Sequence, residues 1–106
     1  DLKMQKGKMC AQVAHAAVDA VQIAMEEEQE LLEKWEECGC TKVCLKIDSE
    51  EALLELAAAS SDLGLITSVI EDAGRTQVDP GSRTVVGIGP GPAELINEVC
   101  GDLKLL

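Results

Sequence analysis

The sequence predicts a layered α/β domain, and three observations carry that expectation. Apolar residues recur at helical spacing through the first quarter of the chain. Short alternating or β-branched runs then appear between helix-type segments, and the glycines and prolines punctuate the chain where such elements should end. A length of 106 residues suits one domain spanning 1–106 with a single core.

From about Gly7 the residues Ala11, Ala14, Val18, Val21 and Met25 fall at i, i+3 and i+4, which predicts a long helix running to about Glu28 with this stripe as its buried face. The acidic run EEEQE is its solvated end and the link to a shorter helix, Leu31 to Glu37, that brings Trp35 into the core and stops at Gly39. KVCLKI, residues 42–47, sets Lys42, Cys44 and Lys46 against Val43, Leu45 and Ile47, a period-two strand with one buried face. DSEEALLELAAASSDLG follows as a helix, with Asp48 as the expected cap, Glu51 reaching back to it and Gly64 just past the end. LITSVIED is the next strand. TVVGIGP, after a Gly/Pro-rich loop, is another. PAELINEV closes the chain as a helix, with Pro92 near its first turn and Gly101 after its last, before the terminal DLKLL. Strands are thus expected near 42–47, 65–71 and 84–89. The first helix has none before it, and an α/β layer then expects one upstream of Asp1.

Composition narrows the function classes. With no Phe or Tyr and one Trp, the core must be aliphatic, and only Trp35 could stack on a nucleic-acid base. The net charge of −11 argues against nucleic acid until its distribution is considered. Residues 1–18 carry Lys3, Lys6 and Lys8 against Asp1; residues 19–62 carry thirteen acids against three lysines; residues 63–106 carry six acids against Arg75, Arg83 and Lys104. The excess acid is therefore concentrated in the middle, while basic residues sit beside glycines near both ends. No apolar run approaches the length of about 18 residues that a membrane span needs, so this segment is expected to make no membrane contact. The five cysteines, 10, 38, 40, 44 and 100, are an odd number with unsuitable spacing for zinc and one His to join them. Reduced, structural thiols in a cytoplasmic protein are the expectation, with mitochondrial association if residues upstream carry a targeting segment.

DAGRTQVDPGSRTVVGIGPGP, residues 72–92, gathers both arginines, all three prolines and five of the nine glycines. GIGPGP entering a helix resembles a phosphate cradle, but Pro90 and Pro92 remove donors there and the Walker and dinucleotide fingerprints fail. No G-x-S-x-G is present, and the one His, His15, lies mid-helix on or beside the apolar stripe. It is either a packed helical residue or one that supports or touches substrate. A hydrolase lacking an evident nucleophile must activate water directly, with a carboxylate or hydroxyl to orient it and a cation or N–H groups to stabilise the oxyanion. Asp72, Thr76, Thr84 and Lys6 are side chains of those types.

DLKMQKGKMCAQVAHAAV at 1–18, DAGRTQVDPGSRTVVGIGPGP at 72–92, and the terminal GDLKLL closely resemble the archaeal and eukaryotic (type 2) peptidyl-tRNA hydrolases. The likeness extends over essentially the whole chain. It implies hydrolysis of the ester between a peptide and the terminal ribose of tRNA, with no metal or organic cofactor and no covalent intermediate. It also implies a three-layer sandwich, in which a mixed, mostly parallel four-stranded sheet carries helices on both faces, often as a homodimer. On this likeness the functional lysine of K-G-K falls on Lys6, the aspartate of D-A-G on Asp72, and the two threonines on Thr76 and Thr84. Lys8, Arg75 and Arg83 are the tRNA-phosphate contacts that the charge distribution suggests. Family members have an apolar strand leading into DLKM, so the first strand is expected upstream of residue 1. The competing class is an adaptor module of the same fold acting through protein partners. The presence of all four catalytic-type side chains favours the enzyme.

Overall fold

A computed structural model of the chain describes residues 6–71 and 83–106. Helix α1 spans Lys6–Glu27 and α2 spans Gln29–Glu37; α3 runs Glu50–Asp62, strands β1 and β2 cover Thr67–Glu71 and Arg83–Ile88, and α4 covers Ala93–Cys100. The α/β class and the order of helices agree with the sequence. Gly101 follows α4 as expected, and Pro92 sits at its N-cap. Gly64 takes φ +77° just past α3, a backbone region that suits glycine, and lets the next N–H, of Leu65, reach the Ser60 carbonyl at 3.1 Å. The α3 cap is Ser49 rather than Asp48. Its extended backbone lets the hydroxyl accept from the Ala52 N–H at 3.1 Å, and Glu50 and Glu51 occupy the first turn, where the helix dipole favours acids.

The sheet departs from expectation. β1 and β2 pair antiparallel, Thr67 opposite Ile88 through Ile70 opposite Val85, so the described residues form a two-stranded antiparallel sheet and not a four-stranded, mostly parallel one. The segment 42–47 is not a regular strand. Leu45 makes a single antiparallel bridge to Leu105, flanked by Lys46 N–H to Lys104 O and Leu106 N–H to Cys44 O. A period-two pattern needs a ladder of partners to become a strand, and the short C-terminal tail offers this one bridge.

Helices α1 and α3 each pack against both strands and have little contact with one another, while α2 docks on α1 and α4 on α3. The buried stripe of α1 differs from the predicted one: Gln12, Ala16, Ala20 and Ala24 face inward. Val18 and Met25 stand 56% and 57% exposed, and Ala11 and Ala14 are also exposed. Small side chains win the inward face because the helix approaches the strand backbone closely. A Cβ added at Gly87 would lie 3.2 Å from the Ala16 carbonyl oxygen and 3.3 Å from its Cβ. Beyond this contact Ala20, Ala24, Leu32 and Ile66 form the core cluster, with Val21, Ile23 and Trp35 packed on it. Trp35 is half-buried; its indole N–H donates to the Thr41 carbonyl at 2.8 Å, and the Lys42 ammonium lies 5.3 Å from the ring centroid.

A polar tie completes the α1–sheet interface: the hydroxyl of buried Ser68 donates to the Asp19 carboxylate. Removing the hydroxyl leaves that oxygen without its partner, so Ser68→Ala should cost about 1–3 kcal/mol in urea unfolding. Gly87→Val should force α1 off the sheet at a cost of about 1–3 kcal/mol. Its melting midpoint should fall by about 4–8 °C for each kcal/mol of that cost, and an unchanged midpoint would mean that Ala16 has room to yield.

Candidate active site

The direction of α1 follows from two contacts. Ala16 meets Gly87 on β2, Asp19 meets Ser68 on β1, and Ser68 and Gly87 are partners in the ladder. Ala24, further along, joins Ile66, which precedes β1. The helix therefore runs antiparallel to β1, and its N-terminus points to the end where β1 finishes and β2 begins. From Ala16 back to Lys6 is about 15 Å of helix, and from Gly87 back to Thr84 about 10 Å of strand. Lys6 and Lys8 thus reach the level of the first residues of β2 and extend past them.

At that end the ladder is irregular. Ile70 pairs with Val85 and Glu71 with Arg83, leaving Thr84 as the extra residue of a β-bulge. Two residues of β2 oppose one of β1 there, a device that interrupts the alternation of side chains beside a site. The Glu71–Arg83 rung is also where residues 72–82 depart and return, so Asp72 follows directly in sequence on the last residue of β1. Asp72, Arg75 and Thr76 lie outside the described residues. Of the others, Lys6 is exposed and Lys8 half-buried at the start of α1, and Arg83 and Thr84 are placed as backbone in β2. The fold thus gathers Lys6, Lys8, Arg83 and Thr84 to one end.

His15 is exposed on α1, about two and a half turns from Lys6, and is not packed in the core. Sequence reasoning passed over Gln12, only 6% exposed on the inward face of α1 between Lys8 and Ala16. Its signal was the i+4 phase it shares with Ala16, Ala20 and Ala24. The Asp19–Ser68 pair was likewise invisible, since 49 residues separate its members.

Charge is polarised along α1. Lys6 and Lys8 open it, whereas Glu26 and Glu27 close it and lead into the exposed acids of α2, about 30 Å from Lys6. The acidic segment therefore stands at the opposite end of α1 from Lys6 and Lys8. Two hollows also lie elsewhere. One of 430 Å³ sits among Lys46, Asp48, Glu55 and Glu98, and one of 210 Å³ among Leu65, Pro90, Pro92 and Leu95. Among the described residues no group of three His, Cys, Asp or Glu side chains could hold a metal ion. Likewise no helix there is long and apolar enough to cross a membrane. All five cysteines are free thiols, and burial pushes the Cys100 thiol up, which disfavours the nucleophilic thiolate.

The family model described as peptidyl-tRNA hydrolase PTH2 matches residues 1–106. The chain is 57% identical to the Bos taurus protein named peptidyl-tRNA hydrolase 2, mitochondrial, over 99% of this chain and 59% of that protein. The Homo sapiens protein of the same name is 55% identical over 99% of this chain and 59% of its own length. A peptidyl-tRNA hydrolase of Thermococcus sibiricus is 46% identical over 100% of this chain and 90% of its own. The chain thus spans less than two thirds of the mammalian relatives and nearly all of the archaeal one. By a family match along its full length and identities of this order, the chain belongs to the PTH2 family of peptidyl-tRNA hydrolases.

Proposed function

We propose that this chain hydrolyses the ester bond of peptidyl-tRNA, with its site at the end of the sheet where α1 begins. The observation that supports this most directly is the convergence of the α1 lysines, the Thr84 bulge and both ends of the 72–82 segment, within a chain of the PTH2 family. Water is the nucleophile. Asp72 orients it and takes its proton as the new C–O bond forms at the ester carbonyl. Lys6 stabilises the oxyanion of the tetrahedral intermediate, and the hydroxyls of Thr76 and Thr84 hold the water and the developing charge. Collapse breaks the bond to the ribose oxygen, which receives the proton, releasing a peptide carboxylate and a tRNA with a free hydroxyl. Every group in this scheme acts by proton transfer or by stabilising charge where it develops, and no metal is called for.

Lys8, Arg75 and Arg83 hold the phosphates of the tRNA acceptor end, and the acidic α1–α2 junction faces away from it. His15 belongs to the outer part of that surface, where it would touch substrate without entering the chemistry. The reduced thiols suit a cytoplasmic setting, and the mitochondrial relatives named above make mitochondrial association part of the same proposal.

Asp72→Asn should retain the fold and lower ester cleavage by at least ~10²-fold, the usual loss for a general base. Unchanged turnover on purified peptidyl-tRNA would remove Asp72 from the mechanism. Replacing Arg75 and Arg83 together by Glu should weaken tRNA binding and flatten the slope of log affinity against log salt, by about one unit for each phosphate that is no longer neutralised. Finding that effect instead with charge reversals in 26–37 would place the tRNA on the wrong end of α1.

A further inference from the structure

The inward stripe of α1 is built of small apolar side chains with one exception. Ala16, Ala20 and Ala24 lie against the sheet and the core, and one turn ahead of them the same stripe carries Gln12, only 6% exposed. A primary amide has two N–H donors and an oxygen acceptor, so burying it without partners is unfavourable where burying an alanine is not. Among the described residues none exchanges a hydrogen bond with the Gln12 side chain. Nor is any sealed side-chain oxygen or nitrogen left unpaired there, so the amide tip is the part of Gln12 that keeps its opening to the outside.

The helix decides where that tip is. One turn, about 5.4 Å, separates Gln12 from Ala16, and Ala16 sits at Gly87. Two residues back along β2, about 7 Å, is Val85, so Gln12 comes level with Val85 and its ladder partner Ile70. Both have apolar side chains and offer the amide nothing. Side chains of a helix lean towards its N-terminus. For Gln12 that is the end where Lys8 stands one turn further on, where β1 finishes at Glu71 and where the Thr84 bulge interrupts β2. The amide therefore opens towards the proposed active site from its inner wall.

We propose that Gln12 is a substrate-binding residue that reads the peptide bond beside the scissile ester; this rests on the esterase reading and deepens it. In peptidyl-tRNA the amino acid esterified to the ribose has its nitrogen acylated, which sets a neutral amide next to the ester carbonyl. A carboxamide side chain matches that group, donating to its oxygen and accepting from its N–H. In aminoacyl-tRNA the same nitrogen is a free amino group with no carbonyl on it, and the Gln12 N–H groups stay unpaired in a buried place. A site built around a hydrogen bond rejects the analogue that lacks it more strongly than an apolar pocket does. Gln12 thus selects tRNA whose amino acid is acylated and spares aminoacyl-tRNA.

The test uses one tRNA carrying the same amino acid either free or N-acetylated, with uncatalysed hydrolysis subtracted. The wild type should cleave the N-acetylated ester with a kcat/KM higher by at least ~10²-fold. Gln12→Leu, similar in length and suited to the apolar level of Ile70 and Val85, should keep the melting midpoint or raise it. It should lower kcat/KM on the N-acetylated ester by at least about 10-fold and leave the free aminoacyl ester within about 2-fold. Gln12→Glu, which accepts from an amino group and cannot donate to a carbonyl, should shift the preference further towards the free ester. Equal losses on both esters would make Gln12 a structural residue, and unchanged rates on both would leave its amide without a role. Either result overturns the proposal while the esterase reading stands, as does a wild type that does not distinguish the two esters. A wild type inert towards both removes the esterase reading and this proposal together.

Discussion

The close approach of α1 to the strand backbone is the constraint on which the rest of the arrangement depends. At Ala16 and Gly87 a methyl group on the strand would press on the helix, 3.2 Å from the Ala16 carbonyl oxygen. That contact fixes the helix in height and in rotation, because a 3.6-residue repeat that seats Ala16 must also turn Gln12, Ala20 and Ala24 inward. Direction and register then follow together, and they decide which end of the sheet receives the lysines. The Ser68–Asp19 hydrogen bond adds a directional lock to a contact otherwise made of small apolar groups. Sliding the helix by one turn would break that bond and, in one direction, push Gln12 at Gly87.

Much of this was legible in the sequence, and the failures have physical causes. Gly64, Pro92 and Gly101 marked helix ends because caps and left-handed backbone are local requirements that a few residues satisfy. The inward face of α1 departs from the one that the apolar pattern predicts, which gives the buried side to the larger apolar residues. Hydrophobicity favours Val18 and Met25, but steric clearance decides for Ala16, Ala20 and Ala24. KVCLKI carries the alternation of a strand and lacks the ladder, since pairing depends on a partner that the local pattern cannot specify. For the site, the motifs offered candidate residues, and the topology supplied what spacing could not: that the helix start and the start of β2 share an end. The bulge at Thr84 arises from a mismatch between two strands and has no signature in either one alone.

The charge distribution acquires a meaning along the helix axis. Read as a total, −11 repels nucleic acid. Laid out on α1, the charges form a gradient about 30 Å long, with Lys6 and Lys8 at its start and Glu26 and Glu27 at its end. A polyanion approaching α1 would be turned away from its acidic end at short range, within a Debye length of about 8–10 Å, and left to the lysine end.

Trp35 has a consequence of another kind. The chain contains no tyrosine, so its near-ultraviolet absorption and intrinsic fluorescence come from this one indole. The ring is packed on the Ala20–Ala24–Leu32–Ile66 cluster and held by the Thr41 carbonyl, with the Lys42 ammonium above it. Its emission therefore reports the docking of α2 on α1 and the seating of the Thr41–Lys42 segment beside the ring. Undocking would expose the ring to water and shift the spectrum to the red. The lysine end of α1 lies most of a helix length from the indole. The protein thus contains its own optical gauge of core integrity, separate from the surface on which tRNA is proposed to bind.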